Sequence, residues 1–157
     1  MADTTDFKQF FWGADVGKYQ DSTVLIMIEF IEQEEIFIQR IAREIKPHPG
    51  YPINFSLQKD VFDLLIRSYP PTKFLIDKTG LGEGIGEMIR NEYGEFIELI
   101  QLTQPSKDLI FSNLRQMLAE KKLKLANIPV QREQILSIQR DISDTGVPKY
   151  HPASTAM

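Results

Sequence analysis

Apolar positions along the chain fall into two rhythms. Over the first third, Phe10 to Val16, Thr23 to Ile31 and Glu35 to Ala42 are rich in Val, Ile and Phe and separated by short polar turns. That pattern predicts three β-strands joined as a meander. Val24-Leu25-Ile26-Met27-Ile28 is apolar on both faces, so the second strand is expected to be central. The third sets Ile36 and Ile38 against Gln39 and Arg43. Asp15 falls near the end of the first.

The rhythm then changes. After the turn-rich stretch from Lys46 to Pro52, Ser56 is placed to cap a helix in which Leu57, Val61, Leu64 and Leu65 recur at helical spacing. Lys73 to Asp77 reads as a short buried strand. Gly80 to Gly84 reads as a turn into a helix with Ile85, Met88 and Ile89 inward, and Phe96 to Leu102 as another strand. Beyond Pro105, Ile110, Leu114, Met117 and Leu118 mark a third amphipathic helix. Pro129 opens a fourth, carrying Ile135, Ile138 and Ile142, and the tail from Asp144, with Gly146, Pro148 and Pro152, reads as irregular. With no internal repeat, low-complexity tract or interdomain linker, the elements are expected to form one mixed sheet flanked by helices.

Bulk properties narrow the chemistry. A length of 157 residues, 42% hydrophobic and 25% charged, is that of one ordinary globular domain. With no cysteine, any metal must be held by oxygen or imidazole, which points to hard cations. The polar N-terminal stretch and the absence of any long apolar run predict a cytoplasmic protein without a membrane span. A net charge of −4 gives no global attraction to nucleic acid. Lys121, Lys122, Lys124 and Arg132 cluster around the third and fourth helices. They read first as a solvated face and second as a track for a DNA backbone.

Two aspartates stand out. Asp15, in Gly13-Ala14-Asp15-Val16-Gly17-Lys18, ends one strand beside small residues that let a ligand approach the backbone. Asp77, in Leu75-Ile76-Asp77-Lys78-Thr79-Gly80, ends another ahead of a glycine-rich turn. On neighbouring strands they would share a divalent cation such as Mg²⁺, which prefers carboxylate and water oxygens. Either residue alone is more commonly a turn former or helix cap. Asp21, before Ser22 and Thr23, reads as turn chemistry, while Lys18 and Lys78 read as solvated lysines within reach of a phosphate.

Other signals fail. Gly13 to Lys18 has one residue too few between its glycines for a P-loop, and Tyr19 stands where Ser or Thr would bind Mg²⁺. Gly80, Gly82, Gly84 and Gly86 do not give the dinucleotide-binding spacing. His48 and His151, far apart and each beside a proline, do not suggest a histidine site.

Taken together, Gly13-Ala14-Asp15-Val16-Gly17 with Asp21-Ser22-Thr23, and Ile76-Asp77-Lys78-Thr79-Gly80-Leu81-Gly82, resemble the first two motifs of the C-terminal nuclease domain of phage terminase large subunits. The stretch from Lys107 to Leu125 is similar to the helix and short extended segment that follow in that family, so the resemblance runs from about Gly13 to Pro152. It implies an RNase H-like α/β fold, with a three-stranded antiparallel meander, parallel strands and flanking helices. It also implies Asp15 and Asp77 as catalytic, metal-binding residues of a two-metal Mg²⁺ or Mn²⁺ site that cleaves concatemeric double-stranded DNA. The partners it implies are DNA, the terminase ATPase domain, the small terminase subunit and the portal, inside a bacterial host cell.

The third carboxylate of the family has no match here, and the chain reads as one domain, residues 1–157, lacking the final helix that would carry it and the ATPase domain. Asp141, on an expected helix face, and Asp144, in a turn, are the nearby substitutes. Two rival readings follow. One is a catalytically inactive packaging or prophage remnant that binds only protein partners. The other is a member of the actin and sugar-kinase superfamily, suggested by Asp15-Val16-Gly17 with Ser22-Thr23, but that architecture needs a second domain for which 157 residues leave no room.

Overall fold

A computed structural model describes residues 8–17, 21–142, 146 and 148–152. The chain divides into two compact units, one running through Gln101 and the other beginning at Leu102. In the first, β1 (Gln9–Asp15), β2 (Thr23–Ile31) and β3 (Ile36–Ile45) form the expected antiparallel meander, β3 running on past Ala42. The β2–β3 register slips between Met27 and Ile28, so Met27 faces Ile41, Ile28 faces Gln39, and Arg40 bulges between. Gln39 is therefore buried opposite Ile28 rather than turned outward. The bulged Arg40 reaches the buried Glu29 at 2.6 Å. Burial alone pushes the Glu29 carboxyl up, but the Arg40 hydrogen bond and the charges of Lys8 and Arg40 outweigh it and hold it below its ordinary value.

Helix α1 (Phe55–Ser68) starts one residue after Asn54, whose side-chain oxygen accepts from the Leu57 amide at 3.2 Å. Asn54 is the cap and Ser56 is not, because the chain is still extended at Asn54 and already helical at Ser56. The buried face also differs from expectation. Gln58, Phe62 and Ile66 point inward, while Leu57 is 52% and Leu64 65% exposed. Two apolar stripes compete on this helix, and the one carrying the largest ring wins the core.

Strand β4 (Lys73–Asp77) lies parallel to β1, and α2 (Gly82–Tyr93) leads on to β5 (Ile97–Ile100), parallel to β4. Ile85 and Ile89 of α2 are buried as expected, but Met88 is 43% exposed. The inner face passes instead through Gly86, where an added Cβ would lie 2.1 Å from the Leu99 side chain. The strands of this unit run in the order β5-β4-β1-β2-β3. Their covered face joins Trp12, Leu25, Met27, Phe74, Ile76 and Ile97 to Phe62 and Ile66 of α1 and Ile85 and Ile89 of α2 in one core.

The second unit contains α3 (Gln104–Ala119), capped by Thr103, then β6 (Leu123–Lys124), α4 (Pro129–Ser137), β7 (Ile138–Ile142) and β8 (Pro148–Pro152). The apolar side of α3 runs through Phe111, Leu114 and Leu118, which with Ile135, Ile138 and Tyr150 line a cavity of about 400 Å³. Ile110 is instead exposed. The helical spacing of Ile135, Ile138 and Ile142 misleads, because the fourth helix stops at Ser137 and Ile138 to Ile142 pair antiparallel with β8. The tail read as irregular thus supplies the second strand of a hairpin. Tyr150 fastens it by donating to Asp108 on α3, with Arg140 bonded to the phenol at 3.1 Å. No helix among the described residues is long and apolar enough to cross a membrane.

Candidate metal centre

The parallel pairing of β1 with β4 places Ala14 beside Ile76, both buried in the core. One residue further along each strand stand Asp15 and Asp77. Side chains alternate along a strand, so this pair leaves the sheet on the face opposite the core, from neighbouring strands about 4.8 Å apart. Both sit at the carboxyl ends of parallel strands, where open α/β sheets place their ligands. Two residues far apart in sequence thus become neighbours.

Each is held locally. The Asp77 Oδ1 accepts from the Thr79 amide at 3.0 Å and from the Thr79 hydroxyl at 2.7 Å. This turn-forming use of Asp77 engages one carboxylate oxygen. The turn runs on through Gly80, at φ +65, to Gly82, where a Cβ would stand 1.7 Å from the Asp77 carbonyl oxygen. Only glycine lets α2 begin this close to the strand end.

Burial raises the Asp15 carboxyl above its ordinary value, the charge of Asp77 adds to this and Asp21 contributes in the same direction, against a backbone hydrogen bond from Val16. The side chain nevertheless remains open to solvent on one side. The negative charge of Asp77 beside it thus disfavours ionisation of Asp15, a cost that a divalent cation held there would reverse. Gly13 shares the Asp15 face, and a Cβ added there would meet nothing within 4 Å.

The backbone leaving β1 is anchored by Gly17 and Thr23, both within the first motif, and by Gln58 of α1, which the motif does not include. Gly17 donates its amide to the Thr23 hydroxyl at 3.0 Å, Thr23 bonds the Gln58 carbonyl at 2.6 Å, and the Gln58 amide returns to the Gly17 carbonyl at 3.3 Å. Ser22 donates to Glu44 at 2.7 Å. The available signal was a glutamine on the same helical stripe as Phe62 and Ile66.

Lys78 follows Asp77, and its amide bonds the Ile100 carbonyl at 2.8 Å. Lys18 and Asp144 lie outside the described residues. Asp141 is on β7 rather than on a helix, bonded to His151 at 2.6 Å. His48 bonds the adjacent Pro49 carbonyl. The basic residues Lys121, Lys122, Lys124 and Arg132 belong to the second unit, and Lys122 there pairs with Glu120 at 3.3 Å. Among the described residues, no group of three or more His, Asp or Glu side chains converges as a metal cage.

No family model matches the chain, and no curated protein matches it by sequence. Solved structures do match. The large terminase nuclease of thermophilic phage G20c, with bound magnesium, superposes with a TM-score of 0.73 at 17% identity, over 98% of this chain and 77% of its own. The chain has the fold of a large-terminase nuclease domain. The nuclease domain of the large terminase of bacteriophage SPP1, with bound manganese, is similar at a TM-score of 0.59 and 12% identity, over 93% of this chain and 78% of its own. The large terminase of bacteriophage HK97 is similar at 0.67 and 12% identity, and there the match takes in 91% of this chain but 35% of the longer protein. The mixed sheet with its antiparallel meander and parallel strands is the RNase H-like arrangement that the resemblance implied.

Proposed function

We propose that the chain is a metal-dependent nuclease domain that cleaves DNA, with Asp15 and Asp77 holding a divalent cation. The observation that carries this reading is the placement of the two carboxylates side by side at the ends of β1 and β4, in a fold shared with nuclease domains that bind magnesium or manganese. The donor set fits such an ion, since Mg²⁺ and Mn²⁺ favour carboxylate oxygen and complete their coordination with water. A bound ion would supply Lewis acidity, offsetting phosphate charge and acidifying a coordinated water.

The protein's own contribution is orientation and access. Thr79 fixes Asp77 through one oxygen and leaves the other for the ion. Gly13 keeps the Asp15 face open to a phosphodiester backbone. Contacts with that backbone position a strand without reading its bases, so cleavage is expected to be largely sequence-independent. Two carboxylates are enough for one ion. A two-metal centre needs a further carboxylate, and among the described residues no group of three or more such ligands converges. That same observation favours a second reading, a fold retained for partner binding without catalysis.

Calorimetric titration of Mn²⁺ into the chain, beside Asp15→Asn and Asp77→Asn, tests the assignment, with plasmid DNA as the substrate in parallel incubations. Binding by the wild type that is lost in both variants supports the shared site, and nicking supports the nuclease. Binding without nicking supports the non-catalytic reading. Variants that bind like the wild type overturn the site.

A further inference from the structure

The ring joining Gly17, Thr23 and Gln58 is costly to build and lies where the chain leaves the strand that carries Asp15. Thr23 and Gln58 have no exposed surface. Gln58 occupies the helical stripe continued by Phe62 and Ile66, a position at which an aliphatic side chain would satisfy the core. Burying an amide and a hydroxyl there is tolerated only because each bonds a partner. The partners are the amide and the carbonyl of one residue, Gly17, so its peptide groups are held from both sides. Gly17 also touches the returning arm of the loop, where an added Cβ would lie 2.0 Å from the Asp21 carbonyl oxygen. Two residues upstream stands Asp15.

We infer that Gln58 and Thr23 are positioning residues for the cation site, fixing the backbone exit after β1 so that the Asp15 carboxylate is held beside Asp77. The inference rests on the reading of Asp15 and Asp77 as metal ligands. Helix α1 thereby acts on the site through one direct hydrogen bond from Gln58 to the Gly17 carbonyl and through Thr23 of β2, which Gln58 holds against the Gly17 amide, without touching the ion itself. Residues that orient ligands from behind commonly change metal affinity by ~10- to 100-fold when replaced.

The test is Mn²⁺ titration by calorimetry on the folded wild type, Thr23→Val, Thr23→Ser and Gln58→Met, with the exchange rate of the Gly17 amide measured without metal. Thr23→Val keeps the shape of the side chain and removes the hydroxyl. Gln58→Met keeps its length and removes the amide, and Thr23→Ser keeps the hydroxyl. We expect faster Gly17 exchange and about tenfold or weaker Mn²⁺ binding in Thr23→Val and Gln58→Met, with Thr23→Ser restoring most of the affinity. Folded Val and Met variants that bind Mn²⁺ like the wild type, whatever their melting temperature, would overturn the inference and leave the site intact. A wild type that binds no Mn²⁺ would instead remove the metal-site reading, and the inference with it.

Discussion

Asp15→Asn should make the metal-free protein more stable and the Mn²⁺-loaded protein relatively less stable. The substitution keeps the size of the side chain and removes one of two carboxylates at the carboxyl ends of neighbouring strands. With the charges about 5 Å apart, the strand spacing, and a water-like dielectric suited to a solvent-open pair, their repulsion is about 0.8 kcal/mol. For a chain of this size that corresponds to a rise in melting temperature of about 2 to 3 °C. Mn²⁺ at ten times its dissociation constant would stabilise the wild type by about 1.4 kcal/mol and a variant that cannot bind by nothing, so the order of the two melting curves reverses.

The pH dependence has a definite sign. The Asp15 carboxyl titrates above its usual 3.8 in the folded state, so its ionisation weighs against folding. The metal-free advantage of the Asn variant is therefore present above the raised value, shrinks as pH falls through it, and is gone below 3.8, where Asp15 is protonated folded or unfolded. Differential scanning calorimetry at low salt, from pH 3 to 8 with and without Mn²⁺, reads all three effects. A metal-free variant less stable than wild type at neutral pH, or equal Mn²⁺ stabilisation of both proteins, would refute the reasoning.

Two further perturbations separate packing from access. Phe62→Ala should lower stability by about 3 to 5 kcal/mol in urea unfolding, because Phe62 is fully buried. Leu64→Ala, on the exposed side of the same helix, should change it by less than about 0.5 kcal/mol, and comparable losses would mean the helix face is wrongly assigned. Gly82→Ala should destabilise the protein and weaken Mn²⁺ binding, since its Cβ must displace the Asp77 carbonyl. Gly84→Ala meets only the Phe55 ring at 4.0 Å and should gain up to about 1 kcal/mol from helix propensity, with Mn²⁺ affinity unchanged.

Strands β1 to β5 were legible because each is a short apolar run between turn residues, and both aspartates were legible as strand ends. The helix faces were harder. Leu57, Val61, Leu64 and Leu65 form as convincing a stripe as the one that is buried, and Gln58 disguises the true one, since its polarity becomes acceptable only once Thr23 and Gly17 stand opposite it. A single helix cannot announce those partners. The β7–β8 hairpin was hidden for a related reason. Isoleucines at 135, 138 and 142 suit a helix until Pro148–Pro152 offers a strand to pair with, which local spacing does not encode. The glycine-rich turn was legible as a turn, but its closeness to the Asp77 carbonyl appears only when α2 is packed against the strand.

The strand order also bears on when the carboxylate pair comes into being. β1, β2 and β3 are joined by short turns and can zip together early, whereas the β1–β4 pairing must close a loop of about 60 residues. A chain still emerging from the ribosome can therefore have a formed meander with Asp15 at its end and nothing beside it. On the proposed reading the cation would gain its second ligand only after β4 has docked along β1, so a half-made domain would be chemically inert, and whatever the pair does waits on the completion of folding.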